Sequence, residues 1–217
     1  MAADAETVRL INNALARLPG ATTANLQNEL FSVMDEFFKA SNVWKEDIDV
    51  PVPGSDPAGT VYLLASNEPA NINQLMWVFT KDTSGNVPRG AGVAAAMEIP
   101  GELTLQTQPS SAVTLVVTVA LTVQDPVNRD GYVVFPMWVL QKYGDVILDG
   151  LLAKMMMQRN KPWTDTQMTV YHSRRFEGGK ARARVDGTRN NTYRQQAWRF
   201  PSFVGGSQRG RSGFPPQ

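Results

Sequence analysis

The only histidine, His172, is the one side chain of this sequence that could act as a general base near neutral pH. A serine-histidine-aspartate mechanism would have to run through it, yet no glycine-flanked serine motif accompanies it. The chain has no cysteine, which excludes disulfides, zinc–thiolate sites and cysteine nucleophiles. We therefore predict a protein that is not an enzyme, with no catalytic residue, no cofactor and no metal site. His172 is interpreted as a helix-face or interface residue.

Three acidic residues lie close together at Glu46, Asp47 and Asp49. Paired carboxylates can perform acid–base chemistry or bind calcium, but this spacing matches no calcium-binding loop. A solvated or interface face is the favoured interpretation. The glycines of residues 85–92 lack the lysine and hydroxyl residue of a phosphate-binding loop and are interpreted as a turn. Residues 155–157, three consecutive methionines, favour core packing over a pliable binding surface.

Arginine interleaved with aromatic residues is the strongest functional pattern of the chain, and it lies at the C-terminal end. Such a mixture binds single-stranded nucleic acid in some proteins and forms interface hot spots in others. The residues alone do not choose between these partners. The predicted docking residues of the arm are Arg189, Tyr193, Arg194, Trp198, Arg199, Phe200 and Phe203, and the predicted basic helix face is Arg174, Arg175, Arg182 and Arg184.

The formal net charge of +1 conceals a strong asymmetry. Residues 172–217 contain ten lysines and arginines and two acidic residues. Residues 1–171 contain eleven lysines and arginines and eighteen acidic residues. An acidic body with a basic tail is typical of proteins that bind partners. The tail could bind nucleic acid, an acidic protein surface or the acidic body of a neighbouring copy.

Helical periodicity predicts the elements that carry these residues. Apolar residues at helical spacing predict helices over residues 7–18 and 24–41, the second capped by Thr22 or Thr23. Further helices are predicted over residues 136–158 and from a capping box at residues 164–167 to about Val185. Gly144 and Gly150 weaken the third helix but could let another helix approach closely. From Asp186 onward, the composition predicts a segment that is disordered alone.

Between the second and third helices the period changes from 3.6 to 2. Alternation is clearest over residues 112–124, where six apolar residues from Val113 to Val123 should share one face of a strand. Other strands are predicted over residues 61–65, 74–80, 92–99 and 102–106, separated by turn residues. After Trp44 comes an acidic stretch and then Pro51-Val52-Pro53-Gly54, to which no strand is assigned.

These elements predict an α+β fold: a helical bundle interrupted by an antiparallel β-domain, followed by an extended basic C-terminal arm. The predicted limits are 1–50 for the first helices, 51–130 for the inserted β-domain, 131–186 for the later helices and 187–217 for the arm. The start lacks the basic and apolar regions of a signal peptide, and no apolar run reaches the roughly 20 residues of a membrane span. We expect a protein without membrane contact, made in a reducing cytoplasm.

Several stretches in the same order resemble a family of head–tail adaptor, or connector, proteins of tailed bacteriophages. They are Ala14-Leu15-Ala16-Arg17-Leu18-Pro19-Gly20-Ala21, Glu29-Leu30-Phe31, Trp44-Lys45-Glu46-Asp47-Ile48, Val119 to Asp125 with Arg129-Asp130-Gly131, Tyr143 to Gly150, Lys161-Pro162-Trp163, Arg182 to Arg184, and Ala197-Trp198-Arg199-Phe200-Pro201. They cover nearly the whole chain. No single stretch is diagnostic, but their combination is fairly specific.

The resemblance implies a structural protein of the virion, made in the host bacterial cytoplasm and located at the head–tail junction. Such adaptors form a homo-oligomeric ring, usually of twelve copies, under the portal protein. The ring extends the DNA channel and docks tail proteins such as the nozzle or tail fibre, with non-specific contact to the DNA it surrounds. The C-terminal extension reaches the portal or a neighbouring subunit, so residues 198–200 are expected to dock there.

Three other functions remain open from the sequence. The first is a nucleic-acid-binding accessory protein of the virion, whose arm grips DNA. The second is another tail component, such as a completion or nozzle protein. The third is a lytic virion enzyme, which would need a hydrolytic activity that depends on His172 or Glu46.

Overall fold

The computed structural model describes residues 5–54, 56–57, 59–81, 92–124 and 135–189. Within these ranges the chain forms four helices and two small antiparallel sheets, which confirms the prediction of a mixed α+β fold. The helices are α1 (Ala5–Leu15), α2 (Thr23–Ser41), α3 (Met137–Met156) and α4 (Thr166–Thr188). Most of the predicted arm, from residue 190 onward, lies outside the described residues.

The strands divide into two three-stranded sheets. They are β1 (Lys45–Val52), β2 (Val61–Leu63), β3 (Ala70–Thr80), β4 (Ala95–Ala96), β5 (Glu102–Leu105) and β6 (Val113–Val123). The first sheet has the order β1-β6-β3 and the second has the order β2-β5-β4. The strand predicted over residues 92–99 is reduced to the two residues of β4, with Gly92 forming an isolated bridge to Phe79.

The alternation that predicts β6 is confirmed by burial. The inward row from Leu115 to Val123 is buried and belongs to the main apolar core. The opposite row is not simply exposed, because Val116, Ala120 and Thr122 are buried as well. Thr122 Oγ1 donates to Asp35 of α2 at 2.9 Å. As the central strand, β6 is covered by neighbours along both edges and at least partly on both faces.

No strand was predicted over residues 45–54, but β1 pairs antiparallel with β6 from Lys45 to Val52. Ile48, Val50 and Val52 alternate with Asp47, Asp49 and Pro51, which is the pattern of a half-buried strand. The acidic residues and prolines, which are depleted in strands, concealed this pattern. Pro51 is tolerated because β1 is an edge strand, where a missing backbone donor breaks no inner ladder.

Helix α2 follows the prediction closely. Thr22 is its N-cap, with a side-chain oxygen that accepts from the Asn25 amide at 3.4 Å. All six predicted core residues of this helix, namely Leu26, Leu30, Val33, Met34, Phe37 and Phe38, are buried. The Phe38 ring packs against Trp44, which precedes β1. Helix α2 thereby contacts α1, α3, α4 and β6, and the core runs without a break from the helices into both sheets.

Helix α4 differs from its prediction at both ends. The N-cap is Asp165, whose Oδ1 accepts from the Gln167 and Met168 amides at 2.9 and 3.0 Å, so the box predicted to begin at Thr164 is wrong by one residue. The helix continues to Thr188 rather than ending at Val185. Gly187 allows this continuation, because a Cβ there would lie 2.7 Å from the Ser41 carbonyl oxygen.

Candidate docking surface on the last helix

Helix α4 has one buried face and one long exposed face. Its buried residues recur every three or four positions and are His172, Phe176, Gly179, Ala183 and Gly187. This spacing places them on a single side of the helix, packed against α2 and α3. Most other residues of this 23-residue helix are not covered by any described part of the chain.

All four residues of the predicted basic helix face are exposed on α4: Arg174, Arg175, Arg182 and Arg184. Arg189, predicted as an arm residue, is also exposed and lies directly after the helix, where its amide donates to the Val185 carbonyl oxygen at 3.1 Å. The other predicted docking residues, namely Tyr193, Arg194, Trp198, Arg199, Phe200 and Phe203, lie outside the described residues. Four exposed arginines therefore lie on α4 and a fifth lies directly after it.

Apolar side chains lie between these arginines. Val170, Tyr171 and Val185 are each nearly half exposed, at 47, 49 and 47 %. Val170, Arg174, Ala181 and Val185 are spaced by four, seven and four residues, which places them on the side of α4 opposite the buried face. Exposed apolar area mixed with arginine is the composition of an interface centre rather than of a solvated helix. We call this side, with Arg174, Arg182 and Arg184, the outer face of α4.

A buried polar cluster fixes the rotation of α4 against α3. His172 Nδ1 lies 2.8 Å from Asp149 Oδ1, and both side chains are almost completely buried. Arg175 Nε donates to the other oxygen, Asp149 Oδ2, at 2.8 Å, and Arg175 Nη1 donates to the Tyr171 hydroxyl at 2.9 Å. Because these partners occupy adjacent turns of α4, the cluster sets which side of the helix turns outward.

His172 was predicted to lie on a helix face or interface. The structure pairs it with Asp149, a partner that was not predicted from the sequence. The position of Asp149 within the apolar run Val146 to Leu152 could have indicated this pair, because a buried carboxylate needs a partner. An Asp–His pair also occurs in hydrolases, but within the described residues no hydroxyl group is bonded to His172. The arrangement supports a positioning role.

Two carboxylates tie α4 to the neighbouring helices from outside the core. Glu36 of α2 accepts from Lys180 of α4 at 2.7 Å and pairs with Lys154 of α3 at 3.0 Å. Burial raises the pKa of Glu36, but the hydrogen bonds and charges of Lys180 and Lys154 outweigh it and hold that pKa below its usual value. Asp186 of α4, which accepts from Tyr143 and pairs with Lys142, likewise has a lowered pKa.

These shifts predict a loss of stability in acid. A carboxyl group whose pKa is lower in the folded chain stabilises it above the unfolded pKa, and this contribution disappears as the pH falls through the folded value. We expect the urea midpoint to decrease as the pH is lowered from about 5 toward 3, the range in which model carboxylates titrate. Glu36→Gln should make this decrease shallower.

The matched control for this titration is Glu98→Gln, which removes an exposed glutamate without an ion pair to another described residue. Glu98→Gln should leave the pH dependence as in the natural chain. If both substitutions change the slope of midpoint against pH equally, the Glu36 bridge does not cause the acid sensitivity.

The acidic residues Glu46, Asp47 and Asp49 lie on β1 and do not converge on one site. Glu46 accepts from Ser66 Oγ at 2.5 Å and from the Asn67 amide at 2.9 Å. Asp47 accepts from Thr118 and Asp49 pairs with Lys81 at 2.6 Å. Because strand residues alternate, Asp47 and Asp49 share one side of the sheet and Glu46 lies on the other. Among the described residues, no group of three or more potential ligands could hold a metal ion.

The methionine run is mostly core, as predicted: Met155 and Met156 are buried and Met157 is exposed. In the part of the chain that the structure describes, no helix combines the length and apolar character needed to cross a bilayer. No known protein-family profile matches the chain, and no curated protein is similar to it. Function is therefore inferred from the surfaces described above and from the resemblance in the sequence.

Proposed function

We propose that this chain is a structural subunit of a tailed-bacteriophage virion, a head–tail adaptor that forms a ring beneath the portal. The observation that carries the proposal, beside the sequence resemblance, is the outer face of α4. A helix whose Val170, Val185 and several arginines are left exposed by the described residues offers a surface suited to another protein. The proposed fold is the one that the resemblance implies: a helical bundle with a β-insertion and a C-terminal arm.

A ring imposes a physical requirement that this chain can meet. A head-to-tail interface joins two different surfaces, so each subunit must present two distinct patches, one of which binds the other patch of the next subunit. The second sheet provides a patch distinct from α4, because Val61, Leu63 and Ile99 are exposed there, Leu63 at 81 %. In the proposed ring, this patch and the outer face of α4 contact different neighbours, either adjacent subunits, the portal or a tail protein.

The proposed function gives the basic residues a partner in the assembly. The arginines of α4 and the arm bind acidic surfaces of the portal or of the next subunit, since planar guanidinium groups pair well with carboxylates. Any arginine that lines the channel contacts the phosphates of passing DNA without reading its sequence. The role is mechanical, and no residue is assigned to catalysis.

The test is assembly with purified portal rings, imaged by electron microscopy. The natural chain should add a ring below the portal, and the double variant Arg182→Glu/Arg184→Glu should lose this binding by at least about tenfold, because two desolvated charges at an interface are reversed. Arg159→Glu is the matched control, since Arg159 is exposed in the α3–α4 loop, and it should assemble normally. Assembly by the double variant equal to that of the control would exclude the outer face of α4 from the interface.

The five exposed arginines also favour a second candidate, a nucleic-acid-binding accessory protein. That function predicts binding of the isolated chain to DNA with an affinity that falls steeply as salt is raised. If the natural chain does not bind portal rings but does bind DNA in this way, the accessory function replaces the adaptor. If it instead joins distal tail parts, the chain is a completion or nozzle component.

A further inference from the structure

A second surface of the molecule combines aromatic rings with carboxylates. It is a groove of about 640 Å³ between the first sheet, the start of α3 and the end of α4. Asp47, Thr118 and Trp77 form one row across its three strands, because Thr118 of β6 pairs with both of the others. Trp138 of α3, exposed at 37 %, and Gly187 of α4 also line it. We call this the sheet groove.

The sheet groove has the chemistry of a site for arginine. Lys45 Nζ lies 4.2 Å from the centre of the Trp77 ring, so this ring already binds a cation on one face, and an arginine would stack there in place of Lys45. Asp47 and Glu68 line the same groove, and neither forms an ion pair within 4 Å with any cation in the described ranges. A guanidinium group can stack on an aromatic ring while its N–H groups bind a carboxylate, which an ammonium group does less well.

The chain carries a matching ligand that begins at the edge of the groove. Gly187 lines the groove, and its carbonyl oxygen accepts from Lys45 Nζ at 2.6 Å. Residues 190–217 continue from this point and include Tyr193, Arg194, Trp198 and Arg199. At roughly 3.3 Å per extended residue, the ten residues after Arg189 can reach about 33 Å, which is enough to follow the first sheet from end to end.

We infer that residues 193–203 dock in the sheet groove of their own chain. The short connection favours this over docking from another copy, because a short tether provides an effective concentration in the mM range. Arginine and aromatic side chains contact Trp77, Trp138 and the carboxylates of Asp47 and Glu68. Docking withholds the arm from other molecules until a partner with higher affinity displaces it. The inference holds whether or not the chain is an adaptor.

Crosslinking can test this in the full-length chain, since the absence of cysteine removes any background. The variant Pro136→Cys/Gln196→Cys places one thiol in the groove and one in the arm without removing an arginine or an aromatic ring. The control, Ser173→Cys/Gln196→Cys, uses an exposed position of α4 outside the groove. Under oxidised glutathione, we expect the intramolecular disulfide to form about tenfold faster in the groove variant, because even weak docking fills the groove at mM effective concentration.

A second pair of changes tests the recognition itself. Adding Asp47→Asn and Glu68→Gln to the groove variant should reduce its crosslinking rate to that of the control, while the new amide at position 47 keeps an oxygen that can accept from Thr118. Equal rates in the groove and control variants would overturn the inference, as would a rate unaffected by removing the carboxylates. Disulfide-linked dimers whose yield rises with protein concentration would also overturn it, because they would show that the arm of a second copy fills the groove.

Discussion

Replacing Asp149 with alanine is expected to lower the free energy of unfolding by about 3 kcal/mol, the lower end of the cost of breaking a buried ion pair. Asp149 accepts from both His172 and Arg175, and its own side chain is 8 % exposed. Its loss leaves the buried His172 ring without its partner, which costs the desolvation of that polar group. Arg175 can turn toward water because its side chain is half exposed, which keeps the cost at this lower end.

The measurement is urea unfolding followed by circular dichroism, with Asp145→Ala as the matched control. Asp145 lies one turn earlier on α3 and is exposed, so its removal should change stability by less than about 0.5 kcal/mol. Asp149→Asn keeps an acceptor for one partner and should fall between the two. Equal destabilisation by Asp145→Ala and Asp149→Ala would mean that the cluster does not hold α4 against α3.

The rotation of α4 decides which of its residues lie on the outer face. Because the cluster sets the rotation of α4, Asp149→Ala should also disturb the outer face, whereas Arg182→Glu/Arg184→Glu should change binding without lowering stability. The two kinds of variant therefore separate the residues that position the proposed docking surface from those that form it.

Local pattern was enough to predict most elements of this chain. Helix α2 and strand β6 were predicted to within a residue because each has a long apolar repeat whose period belongs to one kind of structure. Strand β1 was missed although Ile48, Val50 and Val52 alternate with Asp47, Asp49 and Pro51, because aspartate and proline are depleted in strands. The strands of the second sheet lie within the predicted segments 61–65, 92–99 and 102–106, but each is shorter than predicted.

Only part of the candidate site could be predicted from the sequence. The arginines of α4 could be named from the sequence, and the structure shows them exposed, while their role in docking stays a prediction. The contact between His172 and Asp149 could not, because it joins residues 23 positions apart through the packing of two helices. The sheet groove was equally hidden, since Asp47 and Trp77 come together only when the strands pair, and Trp138 joins them only when α3 packs beside the sheet.

The sequence alone could not distinguish the roles of the two glycines of α3. Gly144 and Gly150 were both predicted to permit a close approach, but the structure supports this for Gly150 alone. A Cβ at Gly150 would lie 2.8 Å from the Phe176 ring and from Val33 Cγ1, both deep in the core. A Cβ at Gly144 would meet no atom within 4 Å. One glycine is therefore required by packing and the other is not.

This difference predicts opposite effects for the same substitution on one helix. Gly144→Ala should stabilise the chain by up to about 1 kcal/mol, the difference in helix propensity between the two residues. Gly150→Ala gains the same propensity but must force apart Phe176 and Val33, and overpacking a core costs roughly 1–3 kcal/mol. The two variants should thus differ by about 2 kcal/mol in urea unfolding.

Each variant serves as the control of the other, because both are glycine-to-alanine changes in the interior of α3. A stabilised Gly150→Ala would show that α4 can move away from α3 at no cost, which would also weaken the proposed role of Asp149 in fixing α4. A destabilised Gly144→Ala would instead mean that the surface around Gly144 contacts something in solution, and sedimentation of the natural chain would then show a self-associated form.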